Sequence, residues 1–231
     1  MGLNHLACIM DGNRRWAARQ SFAKLLGHKK GIETIQTVID FCLEKKISYL
    51  SLYAYSIENL QNRSVEEQQY LFEQLAWQAL EDIDTFKRKN VRIRFIGDRN
   101  LFPKSMHSIS EKAESETAHC ISLHVNILLC YGGRQEIVDA TKRIAQQIAE
   151  GSLKISDITP QLFEDNLWTA GVPSPDLIIR TGDQQRLSNF LLYQAAYSEL
   201  YFLDCMWPDI SSAELESALT YYHECRKMFG K

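Results

Sequence analysis

The first apolar run of the chain ends in residues that could bind a metal diphosphate. Leu6–Met10 is followed at once by Asp11, Gly12, Asn13 and two arginines. A carboxylate can hold Mg²⁺, a glycine lets backbone N–H groups approach phosphate oxygens, and arginines neutralise the remaining negative charge. The same residues would also suit an ordinary Asp-Gly turn with solvated arginines. The phosphate interpretation therefore depends on a second charged cluster.

That second cluster follows the apolar run Leu177–Arg180, which delivers an arginine into a glycine turn. Arg180 and Arg186 stand six residues apart and flank Gly182. The planar guanidinium group suits bidentate phosphate binding. Ser188 adds a hydroxyl donor where we expect a helix to begin, and the free N–H groups of that helix would also favour an anion. Two phosphate-type sites at strand ends predict an enzyme that handles two phosphorylated substrates or a single long one.

The composition is that of one globular domain. A chain of 231 residues with 45% hydrophobic and 24% charged residues can bury a sizeable core, so we expect a single domain over residues 1–231. The formal net charge of −3 argues against general nucleic-acid binding and predicts a small-molecule partner. Neither a GxxxxGK(S/T) loop nor a GxGxxG turn is present, which weakens nucleotide-binding interpretations.

The cysteines and the apolar runs predict a cytoplasmic protein. The six cysteines are scattered without a CxxC pair, and most stand in apolar runs, where a reduced cysteine is a small core residue. The sequence has neither a secretory signal nor a run of about 18 apolar residues that could span a membrane. We therefore expect a cytoplasmic location, with peripheral membrane contact at most.

Apolar runs rich in β-branched and aromatic residues alternate with helical patterns along the chain. We predict six strands, at Leu6–Met10, Tyr49–Tyr55, Val91–Ile96, Leu123–Cys130, Leu177–Arg180 and Glu199–Phe202. This alternation predicts an α/β fold in which helices flank a central, mostly parallel six-stranded sheet. Ligands of such sheets bind at the carboxyl ends of the strands, where Asp11, Ser56, Gly132 and Arg180 would lie.

A long helix is predicted after the second strand. Ser64 and Glu67 have the spacing of a capping box, and an apolar stripe then continues to about Lys89. The stripe consists of Leu71, Leu75, Ala79, Ile83 and Phe86. Roughly 24 residues at 1.5 Å each give a length of about 36 Å. Two interpretations are open: the helix lines a long hydrophobic tunnel, or it packs on the sheet as a surface helix. A second capping box, Ser211 with Glu214, predicts the start of the last helix.

Seven segments of the chain together resemble the cis-prenyltransferases. They are Met10–Ala17, Gly27–Lys29, Tyr55–Asn59, Asn126–Arg134, Asp176–Gly182, Arg186–Phe190 and Ala196–Phe202. They cover nearly the whole chain in order, and the bacterial undecaprenyl diphosphate synthases are the most similar branch. The resemblance implies a homodimer that extends an allylic diphosphate, typically farnesyl diphosphate, by repeated cis addition of isopentenyl diphosphate with Mg²⁺. It also implies a hydrophobic tunnel and, as product, undecaprenyl diphosphate for the cell-wall lipid carrier.

The resemblance implies roles for individual residues as well. Asp11 would bind the metal and help the allylic diphosphate to leave, and Glu199 would be the second acid associated with Mg²⁺. The expected catalytic residues are Asp11, Asn13, His28 and Asn59. The expected substrate-binding residues are Gly12, Asn13, Arg14, Arg15, Trp16, Lys24, His28, Ser56, Ile57, Glu58, Leu60, Arg63, Arg180, Arg186, Leu187 and Ser188. Among these, Arg180, Arg186 and Ser188 would form the isopentenyl diphosphate clamp.

Asn59 matches the residue often taken as the proton acceptor. A neutral amide is scarcely basic, so we expect Asn59 to orient the substrate while a diphosphate oxygen or Asp11 accepts the proton. The reaction chiefly needs stabilisation of the negative charge that develops on the departing diphosphate, which Mg²⁺ and arginines can supply.

Some positions depart from the family pattern. Leu60 replaces a tryptophan, Arg63 stands one residue late, and Met228 replaces an arginine of a motif that crosses the dimer near the C-terminus.

Two other functions are kept as alternatives. One is a Mg²⁺-dependent α/β phosphohydrolase that uses Asp11 and Glu199, and the other is a non-catalytic partner subunit of a two-chain prenyltransferase.

Overall fold

Six parallel strands form one sheet in the computed structural model, which describes residues 2–22 and 24–225 apart from the side chain of Lys24. The substrate-binding role expected for Lys24 and the departure at Met228 lie outside the described parts of the chain. The strands are β1 (His5–Ile9), β2 (Tyr49–Ser56), β3 (Val91–Ile96), β4 (Leu123–Tyr131), β5 (Leu177–Arg180) and β6 (Glu199–Phe202). Each predicted strand is confirmed, with ends that shift by no more than one residue.

The order across the sheet is β3-β4-β2-β1-β5-β6, and every neighbouring pair is parallel. The carboxyl ends of β1, β2 and β5 therefore lie next to one another, as a site at that edge requires. The helices of the described residues are α1 (Asn13–Arg19), α2 (Lys24–Glu44), α3 (Ile57–Asn62), α4 (Val65–Arg88), α5 (Lys104–Glu116), α6 (Gly133–Ala149), α7 (Pro160–Asp165) and α8 (Ser212–Glu224).

Both faces of the sheet are covered, which explains why its strands are continuously apolar. All five residues of β1 are buried. Alternate side chains serve opposite faces: Leu6 and Cys8 belong to a core cluster with α2, α4, α5 and α8, whereas Ala7 and Ile9 belong to a smaller cluster on the other face. This arrangement confirms the predicted parallel α/β sheet with helices on both sides.

The long helix α4 begins and ends where the sequence pattern predicts, over 24 residues. Ser64 caps it by accepting a hydrogen bond from the backbone N–H of Glu67, at 3.3 Å. The Glu67 side chain does not complete the expected capping box, because it turns towards α2 instead. The capping box at Ser211 and Glu214 is present at the start of α8. No helix among the described residues has the length and apolar character needed to cross a membrane.

Candidate active site

A cavity of about 440 Å³ opens at the carboxyl edge of the sheet. Its polar lining is contributed by Asp11, Asn13, Arg14, His28, Ser56, Glu58, Asn59, Asn62, Arg63, Arg180 and Ser188. Its apolar lining includes Ile9, Met10, Ile32, Ile35, Ala54, Leu71, Leu75 and Trp207. Residues of both charged clusters singled out in the sequence therefore share one cavity, which combines a charged mouth with an apolar floor.

The Asp11 carboxylate joins the two charged clusters directly. Its Oδ1 accepts a hydrogen bond from Arg15 Nη2 at 3.2 Å, and its Oδ2 accepts one from Arg180 Nη2 at 3.0 Å. The backbone around Asp11 is fixed to the start of the β5 turn, since Asp11 N donates to Thr181 Oγ1 and the Thr181 hydroxyl donates to Asp11 O. A carboxylate from the end of β1 thus meets an arginine from the end of β5.

Two glycines allow this close approach. Gly12 has a φ of +106°, and a Cβ atom there would lie 2.5 Å from the sulfur of Met206. Gly182 has a φ of +84°, and a Cβ atom there would lie 2.6 Å from Arg15 Nη2. Any other residue would be strained at both positions, and a side chain at position 182 would also push Arg15 away from Asp11.

Arg180 is a buried cation that has hydrogen-bonding capacity to spare. Its side chain is only 4% exposed, although an arginine is rarely so buried without partners. Nη1 donates to Ser188 Oγ at 2.8 Å and to the backbone carbonyl of Arg186, and Nη2 donates to Asp11. Nε has no partner among the described residues. A buried guanidinium with an unsatisfied N–H beside a cavity is suited to binding an anion.

The segment after β5 differs from the sequence expectation in two ways. Ser188 does not begin a helix, because Ser188 and Asn189 both have left-handed backbone conformations, with φ values of 50° and 67°. The expected clamp of two guanidinium groups is also not assembled. The exposed Arg186 side chain donates to Gln184 Oε1 at 2.6 Å, and it is the Arg186 backbone carbonyl that meets Arg180. Arg186 therefore does not line the cavity in this conformation.

On the opposite side of the mouth, Glu67 holds three basic side chains together. Its Oε1 lies 3.1 Å from His28 Nε2, 3.8 Å from Arg63 Nη1 and 3.9 Å from Arg14 Nε. Burial lowers the pKa of His28 to about 4, and the nearby Arg63 cation acts in the same direction. His28 is thus neutral at physiological pH. This role of Glu67 could not be predicted from the sequence, because a glutamate at this position is already explained by helix capping.

Ser56 and Asn59 form a local unit at the start of α3. The Ser56 hydroxyl accepts hydrogen bonds from Asn59 N at 3.2 Å and from Asn59 Nδ2 at 2.6 Å. The Asn59 amide group therefore acts as a donor here. Arg63 follows α3 and places its guanidinium carbon 5.1 Å from the centre of the Tyr55 ring. Burial lowers the pKa of Arg63, which remains charged.

Several expected site residues do not line the cavity. The indole N–H of Trp16 donates to Asp209 at 2.6 Å, and its ring packs against Phe22. Leu60 packs against the core cluster that contains α4, and Leu187 packs against the smaller cluster on the other face. Ile57 is buried at the start of α3. In this segment the polar mouth is lined by Asn59 and Arg63, and Leu60 does not contribute to it.

Glu199 lies at the amino-terminal end of its strand, whereas Asp11 follows the carboxyl end of β1, so the two acids are at opposite ends of the parallel strands. Glu199 begins β6 and pairs with Leu177, whereas Arg180 pairs with Phe202 at the other end of the two strands. Three residues of a strand separate the two ends by about 10 Å. Within one chain the structure therefore does not bring the two expected metal-binding acids together. The described residues also contain no group of three or more His, Cys, Asp or Glu side chains placed to hold a metal ion.

Fold and cavity together define an α/β enzyme with a phosphate-type mouth over an apolar floor, the architecture of a prenyl diphosphate synthase. A family profile described as "Putative undecaprenyl diphosphate synthase" matches residues 9–230, so the chain belongs to this prenyltransferase family. The predicted membership is confirmed.

Curated relatives and solved structures agree with this assignment. The chain is 39% identical over 227 residues to the ditrans,polycis-undecaprenyl-diphosphate synthase, (2E,6E)-farnesyl-diphosphate specific, of Legionella pneumophila strain Paris, covering 98% of this chain and 95% of that one. It is 41% identical over 226 residues to the enzyme of the same name from Xylella fastidiosa strain 9a5c, covering 98% and 88%.

Two solved structures are also similar. Lavandulyl diphosphate synthase from Lavandula x intermedia, in complex with dimethylallyl diphosphate, has a TM-score of 0.96 and 32% identity, with 99% of this chain and 98% of that chain covered. A probable undecaprenyl diphosphate synthase from Campylobacter jejuni has a TM-score of 0.82 and 33% identity, with 100% of both chains covered.

Proposed function

We propose that this chain condenses isopentenyl diphosphate repeatedly, in cis, onto an allylic diphosphate such as farnesyl diphosphate, and so makes a long-chain polyprenyl diphosphate of the undecaprenyl type. The observation that carries the proposal is the contact between Asp11 and the buried Arg180 at the mouth of a cavity with an apolar floor. The names of the curated relatives support this choice of substrates. They do not favour a phosphohydrolase or a non-catalytic subunit.

The donor set around Asp11 fits Mg²⁺. This ion is usually held by one or two carboxylates together with water and substrate phosphates, so a single carboxylate at an open mouth is sufficient on the protein side. When bound, the ion would neutralise negative charge on the departing diphosphate. We infer that Glu199 contributes to this metal only from a second copy of the chain in the expected homodimer, since it lies at the far edge of its own sheet.

The cavity residues can perform the remaining tasks of the reaction. Arg180, with its free Nε, would bind one diphosphate, and Arg14 and Arg63 would bind the other in exchange for their long contacts with Glu67. Asn59 donates to Ser56 and is too weak a base to remove a proton, so it would orient the condensing unit while a diphosphate oxygen or Asp11 takes the proton.

The apolar floor would receive the growing hydrocarbon. Ile32 and Ile35 of α2 and Leu71 and Leu75 of α4 all contribute to this apolar lining. Burial of each CH₂ group away from water is worth about 0.8 kcal/mol, so every added unit favours movement into the floor. The first turns of α4 thus line the cavity, and its later turns pack in the core, where Ala79, Ile83 and Phe86 are buried.

Incubation of the purified chain with farnesyl diphosphate and radiolabelled isopentenyl diphosphate tests the proposal. Chromatography should show longer labelled lipids with Mg²⁺ and none with a chelator. Release of phosphate without longer lipid would instead indicate a hydrolase. A chain that gave no product alone, but did so with a second subunit, would be the non-catalytic partner.

A further inference from the structure

We propose that Asn189 is a positioning residue, which holds α3 and its Asn59 in register with the Arg180 side of the cavity through a hydrogen bond to Glu58. The inference rests on the proposed function, because it concerns the alignment of the two halves of that site. Asn189 follows Ser188, which bonds to Arg180, and Glu58 precedes Asn59. The Asn189–Glu58 pair therefore links the neighbour of Ser188 to a cavity-lining residue next to Asn59, although the two are far apart in the sequence.

The Asn189 side chain ties three segments of the protein together. Its Nδ2 donates to Glu58 Oε1 at 2.7 Å and to Gln135 Oε1 at 3.0 Å. Its Oδ1 accepts from the backbone N–H of Arg134 at 2.8 Å. Its backbone carbonyl accepts from Gly133 N at 2.7 Å. One residue thus joins the turn after β5, the start of α6 and helix α3.

The backbone is shaped to admit this side chain. Asn189 has a φ of 67°, a left-handed conformation that asparagine tolerates better than most residues. A Cβ atom on Gly132 would lie 2.7 Å from Asn189 Nδ2, so a side chain at that position would displace the amide group. The close approach of Asn189 to the end of β4 therefore depends on a glycine at position 132.

Helix α3 needs such an anchor. It has six residues, and helices this short are not stable without tertiary contacts. Ser56 caps its beginning, and the Glu58–Asn189 bond links it to the turn that carries Ser188. Loss of that bond would remove this side-chain link between α3 and the turn that carries Ser188, and we expect Asn59 to shift relative to Arg180 while Ile57 and Leu60 stay packed.

Other contacts hold the turn itself in place. The Tyr53 hydroxyl is 3.3 Å from the carbonyl oxygens of both Tyr131 and Ser188. The Phe190 ring stacks on the Tyr53 ring with centroids 4.7 Å apart. These contacts do not involve the Asn189 side chain. A change confined to the Glu58–Asn189 bond should therefore alter the reaction more than the stability of the fold.

The test exchanges donor and acceptor across this bond. In Asn189→Asp, two carboxylates face each other, and we expect kcat to fall about 10- to 100-fold with a smaller change in KM for isopentenyl diphosphate. In Glu58→Gln, an amide oxygen can still accept from Asn189, and because Glu58 itself lines the cavity, the kcat of this variant is the reference for the exchanged pair. The double variant restores a donor opposite a carboxylate, and its kcat should recover to within about threefold of Glu58→Gln.

The matched control is Asn100→Asp. The amide of Asn100 donates to Asp98 Oδ1 at 3.1 Å on the exposed surface, so this change creates the same pair of carboxylates outside the cavity lining. It should leave kcat within about twofold, because an exposed pair is screened by solvent. Melting temperatures of all variants would verify that each chain is folded.

Recovery of kcat in the double variant supports the inference. A double variant as slow as Asn189→Asp, or a loss of kcat that only follows the melting temperature, would overturn it. Failure of the proposed function is a separate outcome, because the unmodified chain would then form no longer lipid at all.

Discussion

The two sides of the cavity mouth differ in how firmly their cations are held. Arg180 is buried and makes short hydrogen bonds to Ser188 and Asp11. Arg14 is 49% exposed, and it and Arg63 lie 3.8 to 3.9 Å from Glu67, too far for a direct hydrogen bond. One side is thus preformed for an anion. The other consists of cations neutralised by a glutamate, which a diphosphate can replace.

Substitution of the preformed cation should have the largest effect. Arg180→Gln leaves Asp11 without its buried partner and removes the free Nε, so we expect kcat/KM for lipid formation to fall about 100- to 1,000-fold. The radiolabel assay, with melting temperature as a folding check, measures this loss. Arg186→Gln is the matched comparison, because the Arg186 guanidinium is exposed here. An equal loss in Arg186→Gln would mean that its side chain turns into the cavity when substrate binds.

Two buried histidines, His28 beside Glu67 and His5 in β1, should make the stability of the fold sensitive to acid. Burial lowers the pKa of both His28 and His5 to about 4, below their value of 6.5 in an unfolded chain. Between these pH values the unfolded chain binds more protons than the native one, so the free energy of unfolding falls as the pH falls from about 6.5 towards 4. Each histidine contributes on the order of 3 kcal/mol to this loss.

Denaturant titrations at several pH values between 7 and 4.5 would measure this effect. His28→Gln should flatten the pH dependence by about half, because the buried His5 remains. An unchanged slope in His28→Gln would show that the pKa of His28 is the same in the native and the unfolded chain.

Removal of the charge on Glu67 should have a smaller effect, in the favourable direction for binding. In Glu67→Gln the amide oxygen can still accept from His28, but Arg14 and Arg63 lose their counter-ion. We expect KM for the allylic diphosphate to fall about threefold, because the substrate no longer competes with a carboxylate. Steady-state kinetics at fixed ionic strength would measure it. A raised KM would mean that Glu67 holds the arginines in their binding positions.

The smallest effect is expected below the mouth, on the α4 side. Leu75→Phe enlarges a side chain of the apolar floor, and we expect shorter labelled lipids with a change in rate within about threefold. Trp77→Phe is the control, because Trp77 is exposed on the same helix. A product distribution that is the same in all three proteins would place the hydrocarbon elsewhere.

Much of the fold could be predicted because its strands carry local signals. Buried parallel strands read as continuous apolar runs, and β1 and β5 each end directly in a charged residue or turn. Since ligands of parallel sheets lie at the carboxyl ends of the strands, the meeting of Asp11 and Arg180 followed from the fold class. The lengths of α4 and of the strands followed from periodicity alone.

The rest of the site depends on contacts between segments that the sequence keeps apart. Glu67 has a sufficient local explanation as a capping residue, and only the packing of α2 against α4 brings His28 to it. The Arg186 side chain turns to Gln184, and Ser188 and Asn189, where a helix start was the wrong prediction, have left-handed backbones. Position along a strand, and not residue type, separates Glu199 from Asp11.

The two arginines that bind the Asp11 carboxylate differ in how easily another cation could replace them. Arg180 is anchored by Ser188 and by the Arg186 carbonyl as well as by Asp11, whereas Arg15 is 44% exposed and meets only Asp11 among its ion pairs with described residues. A cation bound at this carboxylate would therefore displace Arg15 more easily than Arg180. The Arg15 guanidinium would then be released at the rim of the cavity, where it could pair with an anion that accompanies the cation.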